Sequence, residues 1–531
     1  MARGGFDGRE PHLIVGQEER DHAIVRSVYE PDNSCANTRE RVKPHAEPRE
    51  VALAKDMVEP SMPSAVARAL GLACTILVLF VVPVTSVPLW VLLGGPAYAF
   101  DFPKLLLLVL AIVLAWGALL VALRSRSLLQ VAEGVFGGAY GITTSALIIG
   151  SLLSTTLGPS NTAVALVGTD ERLDGALPFA MMVHASQLMF ALVRVRIISW
   201  HHVVLTASLG AGVAGFYAWM QLAGVHPWTL HPAISVGDGG NRAREAFGNV
   251  GFATNYLAVI FVVGGIYSVK RYTQGSTWML VVLAVVAFGV AAYAGRAGTI
   301  ALFAAMGLTA AVFALRREYH KVGRIAGIAL LPVLALVIAS YVNPMIGARV
   351  DRFAVPTETD LNVQVRLSLW SIGARSLISN PFTARGPAGF AQEVWSMATD
   401  TEERLLIQAF VPAHLADHVV RDGRVFAAFD PATRTLYSGV ANHDKAHNLF
   451  IDIGLQFGSV VLGLFVLWWS LALLRAARVL DRAPEIAAFI ACYLIAQQFW
   501  FHTPMIDVGS YALLGAAVST ATECSAGDEH G

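Results

Sequence analysis

The sequence predicts an all-α polytopic membrane protein with about twelve transmembrane helices, both termini cytoplasmic, and one large external loop between helices 9 and 10. Three observations predict it. The chain has 531 residues and is 55% hydrophobic but only 14% charged, where a soluble domain carries roughly 25% charged residues. Its mean hydropathy is +0.57. Apolar runs of about 20 residues, the length that crosses a bilayer core, recur along most of the chain. The basic residues between those runs alternate in density, as the positive-inside rule requires. Formal net charge is zero, so nothing points to nucleic acid.

Residues 1–64 are polar, charged and poor in aromatics, the composition of a disordered cytoplasmic tail. No apolar core follows Met1, so no signal peptide is expected there. Met57 and Met62 stand just before the first span, and a start at either would give a more ordinary membrane protein. Nine spans follow, at Ala65–Val87, Phe102–Leu123, Val131–Thr156, Ala176–Val193, Val203–Gly224, Phe252–Val269, Thr277–Tyr293, Thr299–Leu315 and Ile325–Val342. Residues 343–446 form the polar loop. Spans at Leu449–Leu474, Ile486–Phe501 and Val508–Thr520 close the chain before a short cytoplasmic tail at 522–531.

The loop charges test this count. One set of loops holds Arg124, Arg126, Arg194, Arg196, Lys270, Arg271, Arg316, Arg317, Lys321, Arg324, Arg475, Arg478 and Arg482. The alternate short loops hold only Arg172, Arg242, Arg244 and Arg296. The first set and both termini are therefore assigned to the cytoplasm, and the long loop to the outside. Of the four cysteines, Cys35 and Cys524 fall in tails and Cys74 and Cys492 in spans, so the long loop has no disulfide framework.

A few polar positions resist explanation by packing. Arg296 lies in Gly-Arg-Ala-Gly (Gly295–Gly298), a tight external turn between two spans. A charge at membrane depth is costly unless paired or hydrated, and flanking glycines let a backbone approach a ligand; the competing reading is an arginine that snorkels to the surface. Arg366 lies in Gln364–Trp370, within an amphipathic stretch reaching Ala374 and expected to lie on the membrane surface. On such a helix it is either a solvated charge or a fork for diphosphate or carboxylate oxygens. His447 stands where the loop re-enters the membrane, in Lys445–Phe450. It is either a cap on the helix start or a group that takes a proton from a hydroxyl near neutral pH. Asp444 precedes it closely enough to orient the ring. The pairs His414/His418 and His443/His447 have i, i+4 spacing, yet no third ligand and no His-Glu-x-x-His pattern accompany them, so no metal site is expected. Asn255, inside a span, is expected to be helix-to-helix glue.

Together these pieces resemble the O-antigen ligase and O-antigen polymerase family of polyisoprenoid-diphosphate-dependent membrane glycan transferases. Four ordered patterns carry the resemblance. They are Gly295–Gly298; Arg366 with Trp370 and then Asn-Pro-Phe-Thr-Ala-Arg-Gly-Pro-Ala-Gly-Phe at Asn380–Phe390; Ala-His-Asn at Ala446–Asn448 followed by Gly454 and Gly458; and a weaker Phe-Gly-Asn at Phe247–Asn249. The likeness covers residues 245–475 and departs from the family where two loop glycines are Ala384 and Ala388 and where Arg385 adds a charge. A loop without those glycines is expected to take a different path.

The resemblance implies a bacterial inner-membrane enzyme whose active site faces the periplasm. It would transfer a glycan from an undecaprenyl-diphosphate-linked donor to a sugar hydroxyl of an acceptor glycolipid, with inversion and without metal, nucleotide or other cofactor. The acceptor would be lipid A core for a ligase, in lipopolysaccharide biosynthesis, or a second lipid-linked repeat for an O-antigen or exopolysaccharide polymerase. It implies His447 as the catalytic residue and Arg296 and Arg366 as diphosphate ligands, with Asp444, Asn448, Arg385 and Asn249 in support. A protein O-oligosaccharyltransferase is a further variant within the class. A secondary transporter is the rival from another class, but spans almost free of mid-depth Asp and Glu and lacking a half-repeat disfavour it.

Overall fold

The computed structural model describes residues 63–84, 101–122, 128–156, 161–169, 173–223, 225, 250–271, 277–351, 360–387, 389–422, 425–440, 443, 445–501 and 503–526. Over these residues the protein is a helical membrane protein. Eight helices are long and apolar enough to cross a membrane, and three shorter apolar helices accompany them, among the described residues.

The helices before the loop are α1 (Ala65–Val84), α2 (Asp101–Ala122), α3 (Leu128–Phe136), α4 (Gly138–Ser154), α5 (Thr162–Val167), α6 (Ala176–Arg194) and α7 (Trp200–Leu222). Then come α8 (Val250–Arg271), α9 (Thr277–Tyr293), α10 (Arg296–Leu315), α11 (Tyr319–Val342) and α12 (Pro344–Asp351). Inside α1 the turn Leu77–Val81 widens to π geometry just before Pro83. Proline lacks the N–H that would continue the ladder and its ring crowds the carbonyl four residues back, so the helix relaxes there.

Two expected spans are each broken by a glycine. The run Val131–Thr156 divides into α3 and α4, with Gly138 at φ 66°. The run Leu449–Leu474 divides at Gly458, φ 85°, into α16 (Leu449–Phe457) and α17 (Ser459–Arg478). Hydrophobicity runs through both breaks, so an apolar window alone joins them; the left-handed backbone that glycine adopts freely separates them. The last two helices are α18 (Pro484–Gln497) and α19 (Pro504–Ala526).

The helix core is built on α6, α8 and α19, whose side chains are almost all buried. These helices are rich in Ala, Gly, Ser and Thr rather than Leu, the composition that lets backbones approach in lipid. A Cβ on Gly515 would lie 1.9 Å from the Ser186 carbonyl oxygen, so α19 and α6 touch backbone to backbone there. By contrast α11 presents Leu330, Leu334 and Tyr341 outward, as a lipid-facing helix does.

The 343–446 region has its own core, a second departure from a surface-lying helix. It contains α13 (Leu361–Ser379), α14 (Gly389–Met397), α15 (Asp400–Gln408), a 3₁₀ turn (Ala413–His418) and an antiparallel sheet in the order β1 (Val420–Asp422), β2 (Val425–Asp430), β3 (Thr435–Val440). Val365, Leu369 and Ile372 of α13 recur at helical spacing and bury against Phe390, Val394, Leu406, Ile407 and Phe426. The apolar stripe of α13 is thus covered by protein. Ala446, next to His447, and Leu455 of α16 belong to the same core.

Contacts between loops sort into two sets. Lys270 reaches the Arg482 carbonyl, Arg482 the Cys524 carbonyl at 2.6 Å, Arg324 the Val269 carbonyl at 3.3 Å, and Trp200 donates to Glu485 at 3.2 Å. At the other helix ends Lys445 meets Asp174, Arg349 meets the Tyr293 carbonyl at 2.8 Å, and Asn448 meets Gln498. Among the described residues none of these loop contacts joins one set to the other.

Candidate functional site

The site lies in the second set and is built from four separate stretches of chain. The first is the turn before α10. Ala294 has φ 45° and the N–H of Gly295 donates to the Thr254 hydroxyl at 3.1 Å. A Cβ on Gly295 would lie 2.6 Å from the Thr254 Oγ1, and one on Gly298 would lie 2.9 Å from the Asn255 nitrogen. The glycines of Gly-Arg-Ala-Gly therefore serve close packing of α10 on α8. The backbone approach that these glycines were expected to permit is here an approach to α8.

Arg296 is the first residue of α10 and forms an ion pair with Asp360. Its side chain is 29% exposed and that of Asp360 only 6%. Asp360 in turn caps α13 by accepting the Asn362 N–H at 3.0 Å. Burial opposes ionisation of this carboxyl most strongly. The hydrogen bond and charge of Arg296, with the N–H groups of Asn362 and Val363, outweigh it and hold the group below its ordinary range. One carboxylate thus ties the Arg296 turn to the helix that carries Arg366.

Arg366 points back from α13 onto the ring of Trp500, its guanidinium carbon 5.1 Å from the centroid. Burial lowers its proton affinity first, the charge of Arg296 adds to that, and Asp360 opposes it. Two arginines and one carboxylate act on one another here, a net of one positive charge. The solvated-charge alternative does not fit a half-buried guanidinium stacked on tryptophan.

His447 faces the same ring. Its imidazole lies 6.0 Å from Trp500 and 5.3 Å from Phe501, edge-on to both. Its backbone is left-handed, φ 57°. Its carbonyl accepts the indole N–H of Trp370 at 3.1 Å. It precedes the helix cap: Asn448 caps α16 by accepting the N–H groups of Phe450 and Ile451, and donates its amide to the Gln498 side chain at 3.1 Å. The capping role considered for His447 therefore belongs to Asn448.

The Asn380–Phe390 loop is anchored to the C-terminal end of α16. Arg385 and Gly386 donate their N–H groups to Leu455 and Gln456, and Ser459 donates to Pro381. Only Gly386 of its described residues is left-handed, φ 73°; Ala384 is buried with ordinary backbone angles, so alanine fits there. The Arg385 side chain is 5% exposed and fully engaged within the protein, bonding Glu393 at 2.6 Å and the Ser376 carbonyl at 2.6 Å. It ties this loop to the end of α13 and to Glu393 of α14. Asp444 and Asn249 lie outside the described residues, as does Ala388.

Neither histidine pair lies on an α-helix. His414 and His418 bracket a 3₁₀ turn, and His443 stands in irregular chain between Trp395 and Phe410. No group of three or more His, Cys, Asp or Glu gathers among the described residues.

Several site residues were missed by sequence reading. Trp500 and Phe501 form the wall that Arg366 and His447 share, yet in sequence they look like ordinary aromatics at a membrane interface. Their one signal is the run Phe499-Trp500-Phe501 in a short loop. Asp452 was passed over inside an expected span, where an acid is a signal in itself. Lys445 and Asp174 form a buried ion pair at 2.5 Å, 271 residues apart in numbering (445 against 174), which no local pattern announces. No family model matches the chain, and no curated protein matches it.

Proposed function

We propose that the protein is a membrane glycosyltransferase of the O-antigen ligase and polymerase kind, acting on a polyprenyl-diphosphate-linked glycan at the periplasmic face of a bacterial inner membrane. The observation that carries this reading is the convergence of Arg366 and His447 on Trp500, with Arg296 joined to Arg366 through Asp360. A guanidinium for an oxyanion and an imidazole for a hydroxyl proton stand at one aromatic ring, and a second guanidinium, Arg296, is paired with the carboxylate that caps the same helix; the three come from positions 70 or more apart in sequence (296, 366, 447). That wall also suits a sugar, whose apolar ring face packs on indole.

In the proposed mechanism the diphosphate oxygens of the donor lie against Arg296 and Arg366. A hydroxyl of the acceptor sugar attacks the anomeric carbon from the face opposite the diphosphate. The new carbon–oxygen bond forms as the bond to the diphosphate breaks, and its electron pair leaves on the diphosphate oxygen. The hydroxyl proton passes to the neutral nitrogen of His447. The arginines stabilise the negative charge that grows on the leaving group.

We assign twelve spans, both termini cytoplasmic, with Thr277–Tyr293, Gly138–Ser154, Pro484–Gln497 and Pro504–Ala526 crossing alongside the eight longer helices. The loop contacts support that topology. The basic-rich loops Lys270, Arg324 and Arg482 contact one another and the last helix end, while the loops assigned to the periplasm contact each other. The donor is a lipid with its diphosphate at the surface, and Arg296 sits at a helix terminus where such a headgroup would lie.

The test is transfer from a purified lipid-linked glycan in proteoliposomes. His447→Ala is expected to lose about 10²–10⁴ in turnover and Arg296→Ala a comparable factor, with insertion and folding intact. Wild-type turnover by His447→Ala removes it as the base. Glycan laddering in a knockout separates the acceptors: loss of long lipid-attached chains marks a polymerase, and accumulation of unattached long chains marks a ligase.

A further inference from the structure

The segment from Lys445 to Asn448 belongs to no helix or strand, yet every residue of it is held by a different element. Lys445 pairs with Asp174, the loop before α6, and the two side chains are 4% and 0% exposed. The His447 carbonyl is held by Trp370 of α13 and the Asn448 amide by Gln498 after α18. The remaining two donors converge on one carboxylate. The Ala446 N–H reaches Asp452 Oδ1 at 2.8 Å and the Asn448 N–H reaches Asp452 Oδ2 at 3.2 Å. Asp452 is 3% exposed, in the first turn of α16.

We propose that Asp452 is a positioning residue: its two oxygens clamp the main chain on either side of His447 and fix the direction of the imidazole. For its effect on catalysis this rests on the reading of His447 as proton acceptor; the clamp itself does not. First, an ordinary capping carboxylate bonds the N–H of the cap residue alone, whereas this one also reaches two residues further upstream. The span covered is the left-handed turn at His447. Second, a left-handed histidine is a strained conformation that persists only where its surroundings over-determine it. Bonds to both neighbouring amides provide that determination. Third, the strain has a directional consequence. Rotation of His447 to an ordinary negative φ would reorient its Cβ relative to the wall of Trp500 and Phe501.

A charged acceptor suits this role better than a neutral one. Each N–H to a carboxylate is a charge-assisted bond, and a carboxylate offers an acceptor at both ends. An amide of the same shape offers only one and opposes an N–H with an NH₂. Asp452→Asn is therefore the informative change, because it keeps volume and removes one arm of the clamp.

The experiment uses the full chain in lipid nanodiscs and has two readouts. One is the transfer rate, as kcat and as KM for the lipid-linked donor. The other is the rate at which diethyl pyrocarbonate modifies His447, followed by mass spectrometry, which needs no turnover. The expected result for Asp452→Asn is a severalfold faster modification of His447 and a fall in kcat of about tenfold or more, with donor KM within about twofold, since a small misplacement of a reacting group is costly. Asp452→Glu, which keeps the charge but displaces it by one methylene, is expected to fall between, and replaces Asp452→Asn if the latter does not fold. Unchanged modification overturns the clamp. Faster modification with unchanged kcat, in a protein where His447→Ala is inactive, overturns the positioning role. If His447→Ala is itself fully active, the functional reading fails, and the modification arm still decides the clamp.

Discussion

The indole N–H of Trp370 lies 3.1 Å from the carbonyl oxygen of His447, so a helix of the large loop holds the main chain at the candidate base. Trp370 also packs against Phe499 with centroids 5.8 Å apart. Trp370→Phe keeps most of that packing and deletes the donor. It is expected to cost about 1 kcal/mol of stability, the net worth of one such bond. Turnover is expected to drop with little change in donor KM. Thermal melting and steady-state kinetics of the one variant measure both, and an unchanged melting temperature would assign the bond no weight.

Acid is expected to loosen the large loop through two carboxylates. Asp360 sits below its ordinary 3.8 because Arg296 and two backbone N–H groups outweigh the burial that raises it. Glu402 is pushed from 4.5 to about 2: burial raises it, and Arg375, 2.5 Å away, together with Thr399 overcomes that. Both pKa values are depressed in the folded state. The stability they contribute is therefore complete above the unfolded values of 3.8 and 4.5 and is lost as pH falls through the lower folded values. Arg296→Ala and Arg375→Ala are expected to be less stable than wild type at pH 7 and to lose less on acidification. Melting curves taken between about pH 6 and about pH 3 test the sign.

Gly251 is the tightest point beneath the aromatic wall. A Cβ there would lie 1.8 Å from Trp500 Cζ2, so Gly251→Ala forces the indole to move. Such overpacking typically costs about 1–3 kcal/mol. Because Arg366 stacks on that ring, the variant is expected to weaken donor binding as well as stability. Gly298→Ala meets the backbone of α8 at 2.7 Å and is expected to separate α10 from α8, lowering the melting temperature and shifting Arg296. Intrinsic tryptophan fluorescence alongside binding of a lipid diphosphate distinguishes the two variants, since only Gly251→Ala moves an indole directly.

Arg385 is expected to matter for folding rather than for substrate. It bonds Glu393, the Ser376 carbonyl and two further carbonyls with one planar fork. Arg385→Lys cannot reproduce that geometry. Both Arg385→Lys and Arg385→Ala are expected to lower the melting temperature by a similar amount. Under the proposed function, the residual folded protein is expected to keep its KM for the lipid-linked donor. A raised KM at unchanged stability would move Arg385 into the substrate site.

The sequence by itself determined that the chain is a helical membrane protein and where most helices run, because lipid demands long apolar segments and that demand is local. It also picked out Arg296, Arg366 and His447, because a charged or titratable group beside an apolar run is costly enough to stand out singly. It misjudged the apolar runs at Gly138 and Gly458, where hydropathy continues through a left-handed residue that breaks the helix. Only the tertiary structure decided what surrounds the three residues. Trp500 and Phe501 come from the far end of the chain, Asp360 from a stretch that reads as ordinary loop, and Asp452 from inside an apolar run. The described residues of 395–441, featureless as sequence, pack over α13 and share a core with Ala446, next to His447. A contact between distant residues leaves no periodicity in either partner, so pairing and burial were legible only once the helices were assembled.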